Sequence, residues 1–302
     1  MGIILHEEPK LQSPDLIVGW PGIGNVGIIA VDTLREQLGA EELGEIEPWD
    51  FFYPRKVTIR AGMLDVLEFP SSKFYYRRLE GKDLLFFVGE EQPTDRERMY
   101  AEGRKAYQMA NLVLDVAAKF GCRRVYTSGA AVTFSHHLTK PRVMAVATRR
   151  ELLQEVRRRE NVILMSEVGS REERGSITGL NGLVLGVAKR RGFDAVCLMG
   201  EVPDYLSGAP LPYPQASHSV LEVMTGLLGV QINLNVLDGM TSQMSDIIEN
   251  IYQKFPPQIR ERIEQRRATA QKKEAITEED EQWLKEHIDE FFKTDRGERG
   301  AG

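Results

Sequence analysis

Four side chains of this sequence are of the types that activate water or form acyl intermediates: Glu90, Ser128, Glu167 and Glu201. Each falls where a loop should follow a strand. A carboxylate in a cleft works as general acid or base, and a serine becomes a nucleophile when a base takes its proton. The bases on offer are His136, His137 and His218. The G-x-S-x-G elbow that presents a nucleophilic serine is missing, because TSGAA puts Thr127 before Ser128 and glycine only after it. His136 and His137 are adjacent, and in an extended segment adjacent side chains face opposite ways, so the pair does not form a metal site. No metal-ligand spacing of the familiar kinds occurs, and no metal is expected.

A second chemistry is written in glycines. Gly22-x-Gly24-x-x-Gly27 follows the apolar run Leu16, Ile17, Val18 and leads into an amphipathic helix. Two glycines at this spacing let backbone approach a ligand, the third lets the helix pack close to the strand, and first-turn N–H groups face an anion. The dinucleotide fingerprint also needs an acid about 20 residues on, at the end of a second strand. The candidates Glu45 and Glu47 lie in LGEIEPWDFFYP, which Pro48 interrupts. Asn25 can cap the helix by itself. The residues therefore favour a structural turn or the frame of a protein contact over a nucleotide site, and no cofactor is assigned. The ligand-binding or structural loop comprises Gly22, Gly24, Asn25 and Gly27, with Ser128, Gly129 and Glu201 at neighbouring strand ends.

These residues need strands and helices to bring them to one edge. Strand candidates recur at 16–18, 83–89, 123–132, 143–148, 161–168 and 193–201, separated by helical patterns at 95–119, 150–159 with Thr148 as its cap, 175–192, and from 215, where Ser217, His218 and Ser219 sit near the start. Alternation of this kind predicts an α/β fold with a mostly parallel central sheet covered by helices. Gly179, Gly182 and Gly186 weaken a free helix and so point to close approach of another element. Residues 41–80 differ: β-branched and aromatic residues with Gly and Pro punctuation predict a β-rich insertion of antiparallel strands. Its aromatics, Phe51, Phe52, Tyr53, Phe69, Phe74, Tyr75 and Tyr76, exceed what one sheet face needs, which leaves some to cover a partner surface. From about 236 the composition changes to appended helices, up to 293, and 294–302 has no apolar anchor and reads as a disordered tail.

Bulk properties narrow the classes. A net charge of −6, from 39 basic and 45 acidic residues of mixed placement, excludes a nucleic-acid partner as the leading reading. Cys122 and Cys197 lie beside or in strand candidates, which suits core positions in a reducing compartment. The N-terminus lacks a basic-then-apolar leader and no run reaches membrane-spanning length, so a cytoplasmic protein without a membrane partner is expected.

Four segments taken together carry a resemblance: VGWPGIGNVG at 18–27, TSGAAV at 127–132, ITGLNGLVLG at 177–186, and CLMGEVPDY at 197–205 followed by YPQASHSVLEVM at 213–224. In order and spacing, over roughly residues 10–235, they resemble the PAC2 family, archaeal and bacterial proteins similar to eukaryotic proteasome assembly chaperone 2. The resemblance implies a phosphorylase/hydrolase-like α/β domain over 1–235, self-association, and a protein client such as a proteasome-like complex. The ATP-grasp label sometimes attached to the family finds no matching basic, acidic and glycine-loop arrangement here. Relatives that dock on a proteasome ring end in a hydrophobic residue, a tyrosine and one more residue. This chain ends Gly300-Ala301-Gly302, so contact with a client is expected to use the folded body.

The expectation is a non-catalytic, oligomeric, assembly-chaperone-like binding protein. The alternative is a hydrolase-like enzyme whose strand-end cleft uses Glu90, Ser128, Glu167 and Glu201.

Overall fold

The structure, a computed structural model, describes residues 2–94, 103–164 and 175–268, together with 282, 283 and 286. Glu167, the first turns expected for the helix at 95–119, most of the last helix and the tail at 294–302 lie outside the described residues.

The strands are β1 (Ile3–Leu5), β2 (Asp15–Gly19), β3 (Glu41–Ile46), β4 (Lys56–Arg60), β5 (Met63–Glu68), β6 (Ser72–Arg77), β7 (Leu84–Gly89), β8 (Arg124–Thr133), β9 (Val143–Ala147), β10 (Val162–Leu164) and β11 (Asp194–Pro203). Nine of them form one sheet in the order β1-β3-β6-β7-β2-β8-β11-β9-β10, and among the described residues β4 and β5 pair only with each other. The helices are α1 (Val26–Gln37), α2 (Gly103–Lys119), α3 (Arg150–Arg157), α4 (Gly179–Arg190), α5 (Pro214–Leu228), α6 (Asp238–Gln253) and α7 (Pro257–Ala268).

The central strands are apolar along their whole length because both sheet faces are covered. Alternate residues feed alternate layers, as strand geometry requires. Ile17, Phe86, Tyr126 and Leu198 face a core shared with α1, α3, α5, α6 and α7. Leu16, Leu85, Val125 and Cys197 face one shared with α2 and α4.

The sheet is mixed rather than mostly parallel. β7, β2, β8 and β11 run parallel and form its centre. On one side β6, β3 and β1 continue antiparallel. On the other, β9 lies antiparallel to β11, and β10 parallel to β9. Residues 134–142 between β8 and β9 are too few for the crossover that a parallel partner needs, so the chain turns back. Segment 41–80 is antiparallel as expected, but β3 and β6 join the main sheet while β4–β5 stands out from it.

Two local expectations change. Thr148 does not cap α3: its hydroxyl accepts from the Ala195 N–H at 2.9 Å, and Arg149 occupies the cap position. Ser217, His218 and Ser219 lie inside α5, because Pro214 opens that helix with the missing N–H of its first turn.

Candidate functional site

The glycine loop joins the end of β2 to α1 through a single 3-10 turn at Ile23–Asn25. Gly24 and Asn25 both adopt left-handed backbone, φ 58° and 50°. Asn25 occupies the cap position of α1, yet its side chain makes no capping bond. The loop is tied on two sides. The Gly24 carbonyl accepts from the Tyr213 N–H at 2.7 Å, at the start of α5. Gln92 donates to the Pro21 carbonyl at 2.5 Å and accepts from the Leu180 N–H at 2.9 Å, in the first turn of α4. The first turns of three helices thus meet around one loop.

Gly27 fulfils the packing role of the third glycine. A Cβ there would lie 2.3 Å from the Ser128 carbonyl oxygen and 3.3 Å from the Gly129 Cα. The Ser128 hydroxyl is fully buried and donates to the Gly27 carbonyl at 3.2 Å. Gly129 in turn faces the Asn181 amide of α4, which a Cβ would meet at 3.0 Å. Gly27, Ser128 and Gly129 are therefore brought together as a helix-on-strand contact, and His218 pairs with Glu222 on α5 at 3.5 Å instead of with Ser128.

Glu90 and Glu201, the two candidate carboxylates among the described residues, do not converge. Glu201 is buried on β11 and takes Arg142 in a fork, Nε to Oε2 at 2.9 Å and Nη2 to Oε1 at 2.7 Å, with the Arg142 backbone N–H adding a bond at 3.0 Å. That bonding raises the Arg142 guanidinium pKa, against burial. Glu90 follows β7 and pairs with Arg55 at 2.9 Å in an exposed position, beside the Arg55–Glu91 pair. β2 and β8 lie between the strands that carry them. Three inter-strand steps set their backbones about 14 Å apart. Burial pushes the Cys122 thiol up to about 12 and the Cys197 thiol up to about 11, so both stay protonated, unreactive core side chains near neutral pH.

His136 and His137 depart from the expectation of opposed side chains. Their rings stack, centroids 4.3 Å apart, because the chain bends there and the Thr139 N–H closes a turn onto the His136 carbonyl at 2.9 Å. Both are buried. The Tyr205 hydroxyl accepts from the His137 N–H at 3.0 Å and donates to Nδ1 at 2.7 Å, leaving Nε2–H to donate to Glu249 on α6 at 2.9 Å. His136 Nδ1 accepts from the Leu138 N–H at 3.1 Å, which puts its proton on Nε2, 3.3 Å from Glu264 on α7. Burial, with His137 beside it, lowers the His136 pKa. Tyr252 and Phe255 complete the ring cluster, and a buried Asp204–Arg266 pair at 3.0 Å closes it. Glu249, Tyr252, Glu264 and Arg266 went unnoticed in the sequence, where more than a hundred residues separate all four from the histidines. Among the described residues no group of three His, Cys, Asp or Glu side chains is placed to hold a metal ion. No helix there is long and apolar enough to cross a membrane.

What the strand ends hold is thus protein against protein. An open, mostly apolar groove of about 530 Å³ lies between α2 and α4, along Tyr107, Ile177, Leu183 and Val187.

Comparison with known proteins agrees with this architecture. The chain is 27% identical to Pyrococcus furiosus PbaB, an archaeal proteasome activator, with a TM-score of 0.68 over 83% of this chain and 98% of that one. It shares its fold with P. furiosus PbaA, an archaeal homolog of proteasome-assembly chaperone, at 20% identity and a TM-score of 0.61, covering 90% and 99% of the two chains. An uncharacterized protein of Methanocaldococcus jannaschii is 29% identical over 241 residues, 80% of this chain and 84% of the relative. The PAC2 family model matches residues 16–251, and the chain belongs to the PAC2 family.

Proposed function

We propose that this protein is a non-catalytic, self-associating binding protein of the assembly-chaperone type, acting in the cytoplasm on a proteasome-like multisubunit client. The observation that carries the reading is the state of the strand-end edge. Ser128 holds the Gly27 carbonyl, Glu201 holds Arg142, Glu90 pairs with Arg55, and Tyr213 closes on Gly24. A hydrolase would keep a nucleophile within reach of a base and a carboxylate free to take a proton. Here the serine and the two described carboxylates each hold another part of the chain. The glycine loop is on this reading a structural joint.

The client class rests on PbaB, which is an archaeal proteasome activator and which this chain covers almost completely. The test is to mix the full chain with purified proteasome α and β subunits, and separately with the assembled ring, and to separate the products by size-exclusion chromatography with light scattering. A stoichiometric complex with either is expected. Co-elution with neither would remove the proteasome-like client from the proposal. A Ser128→Ala variant that forms the complex equally well is expected, since on this reading no acyl chemistry is involved.

A further inference from the structure

We propose that the β4–β5 hairpin is a hinged arm, latched to the body by the fork that Arg55 makes with Glu90 and Glu91 and freed when that fork opens. The latch depends neither on the client nor on self-association. Burial sets the limits of the arm. Phe51 and Phe52 are buried before it, Pro70 is buried after it, and Phe69 packs against the layer shared with α2 and α4. From Tyr53 to Glu68 no residue is buried. Val57, Ile59, Met63, Leu64, Val66 and Leu67 are all exposed. Backbone bonds hold β4 to β5 and, among the described residues, to no other strand. A strand pair without a buried face is marginal in water, and a segment with few buried contacts is the part of a fold that moves at least cost.

Arg55 stands at the base of the arm, where its backbone N–H closes the hairpin on the Glu68 carbonyl at 2.6 Å. Its side chain leaves the hairpin. Nη1 donates to Glu90 at 2.9 Å, and Nε and Nη2 donate to Glu91 at 2.9 and 2.7 Å. The receiving side is firm: Glu90 follows β7, its N–H donates to the Ser71 carbonyl at 2.9 Å, and its carboxylate also accepts from the Ser71 N–H at 3.3 Å. The Lys56–Glu68 and Arg60–Asp65 pairs lie within the arm and place no hold on the body. Lys105 stands 5.7 Å from the Tyr53 ring, at the far limit of a cation–π contact. The fork of Arg55 is therefore the link that fixes the angle of the arm.

Three charge-assisted bonds from one planar guanidinium fix direction as well as distance. Arg55, Glu90 and Glu91 are all exposed, so the hold is modest and salt screens it. A latch of this strength sets an equilibrium between two positions of the arm.

Double electron–electron resonance on the full chain tests this, with spin labels at Leu64→Cys on the arm and at Ala118→Cys on the exposed side of α2. The labelled chain is diluted into an excess of unlabelled chain, so that distances within one copy are read. A chain without the two added cysteines checks that Cys122 and Cys197, both buried, take no label. At low salt one narrow distance is expected. Arg55→Ala is expected to raise the fraction of chains outside that distance about fivefold, and Glu90→Gln/Glu91→Gln to do the same from the body side. Arg55→Lys keeps the charge and loses the fork, and should fall between. Salt at about 1 M should broaden the distances with Arg55 present and leave Arg55→Ala unchanged. A distribution that stays narrow in Arg55→Ala overturns the latch. One already broad at low salt with Arg55 in place overturns it as well. Equal broadening by salt with and without Arg55 assigns the salt response to other charges and overturns it too.

Discussion

A single methyl group is enough to part α1 from β8. At Gly27 it would fall 2.3 Å from the Ser128 carbonyl oxygen, a backbone atom with nowhere to go. Gly27→Ala is therefore expected to cost about 3 kcal/mol, as overpacking of a rigid contact does, and to lower the urea midpoint accordingly. At Gly22 a Cβ meets nothing within 4 Å and the backbone is extended, so Gly22→Ala should stay within about 0.5 kcal/mol. Equal losses at the two glycines would show that the fingerprint spacing carries no packing demand. Glu201 makes a different case. Arg142→Ala leaves a buried carboxylate with only the residue-142 N–H. Because the Arg142 side chain is half exposed, water softens the loss, and about 2 kcal/mol is expected in equilibrium unfolding. An unchanged midpoint would mean that Glu201 is solvated by other means. Of these residues, Gly27 was legible from spacing alone. The role of Ser128 was not, because it depends on which carbonyl of α1 lies opposite β8.

The joint between the α/β body and the last two helices is governed by groups that titrate. His136 is held neutral: its Nδ1 already accepts from the Leu138 N–H, burial and His137 oppose a charge, and Arg267 opposes it too, with only Glu264 favouring it. Its folded pKa is lowered from 6.5, so below about pH 6.5 the undocked form binds the proton more readily. Stability is then lost as pH falls. The carboxylates act in the same direction. Glu249 is held below the usual carboxylate range by Gln253 and His137. Burial alone would raise Glu264, but the Tyr252 hydroxyl and the nearby His136 and Arg267 outweigh it. Both therefore favour docking above their ordinary range and lose that contribution as they protonate. Hydrogen exchange is expected to show α6 and α7 losing protection between pH 7 and pH 5 before the central strands do. In His136→Phe that loss should be absent down to about pH 5, because Glu249 and Glu264, lowered from the ordinary 4.5, still hold their charge there. Protection that falls uniformly over the chain would assign the effect elsewhere. This joint escaped the sequence reading because alternation of side chains applies only to extended backbone, and the bend at 136–139 is a local event with no strong turn residue to announce it.

In the whole molecule, α6 and α7 are part of the body they cover. Ile248, Ile251, Tyr252, Phe255, Ile259 and Ile263 are all buried and share a core with Leu221, Met224 and Leu228 of α5. Removing residues 238–302 should therefore uncover an apolar face and give a protein that binds a hydrophobic dye and aggregates. A soluble truncated chain with the wild-type urea midpoint would show that the body is complete without them. The aromatics of 41–80 divide likewise: Phe51, Phe52, Phe74 and Tyr76 are buried, whereas Tyr53 is exposed. Composition identified the surplus, and only the fold distributes it.

By itself the sequence determined what is local. Apolar runs that must be covered on both faces, helices with one packing stripe, a glycine at the closest helix-to-strand contact, and an antiparallel segment at 41–80 all follow from periods of two and 3.6 residues and from backbone freedom. The four motif segments, in their order, also pointed to the family. Tertiary structure alone decided the direction of β9, the separation of Glu90 from Glu201, the stacking of His136 on His137, and the exposure of Val57, Ile59, Leu64 and Leu67 on β4–β5. Each depends on register or on chain reversal between residues far apart in sequence. Burial patterns state that a strand is covered and are silent on which way it runs or what lies beside it.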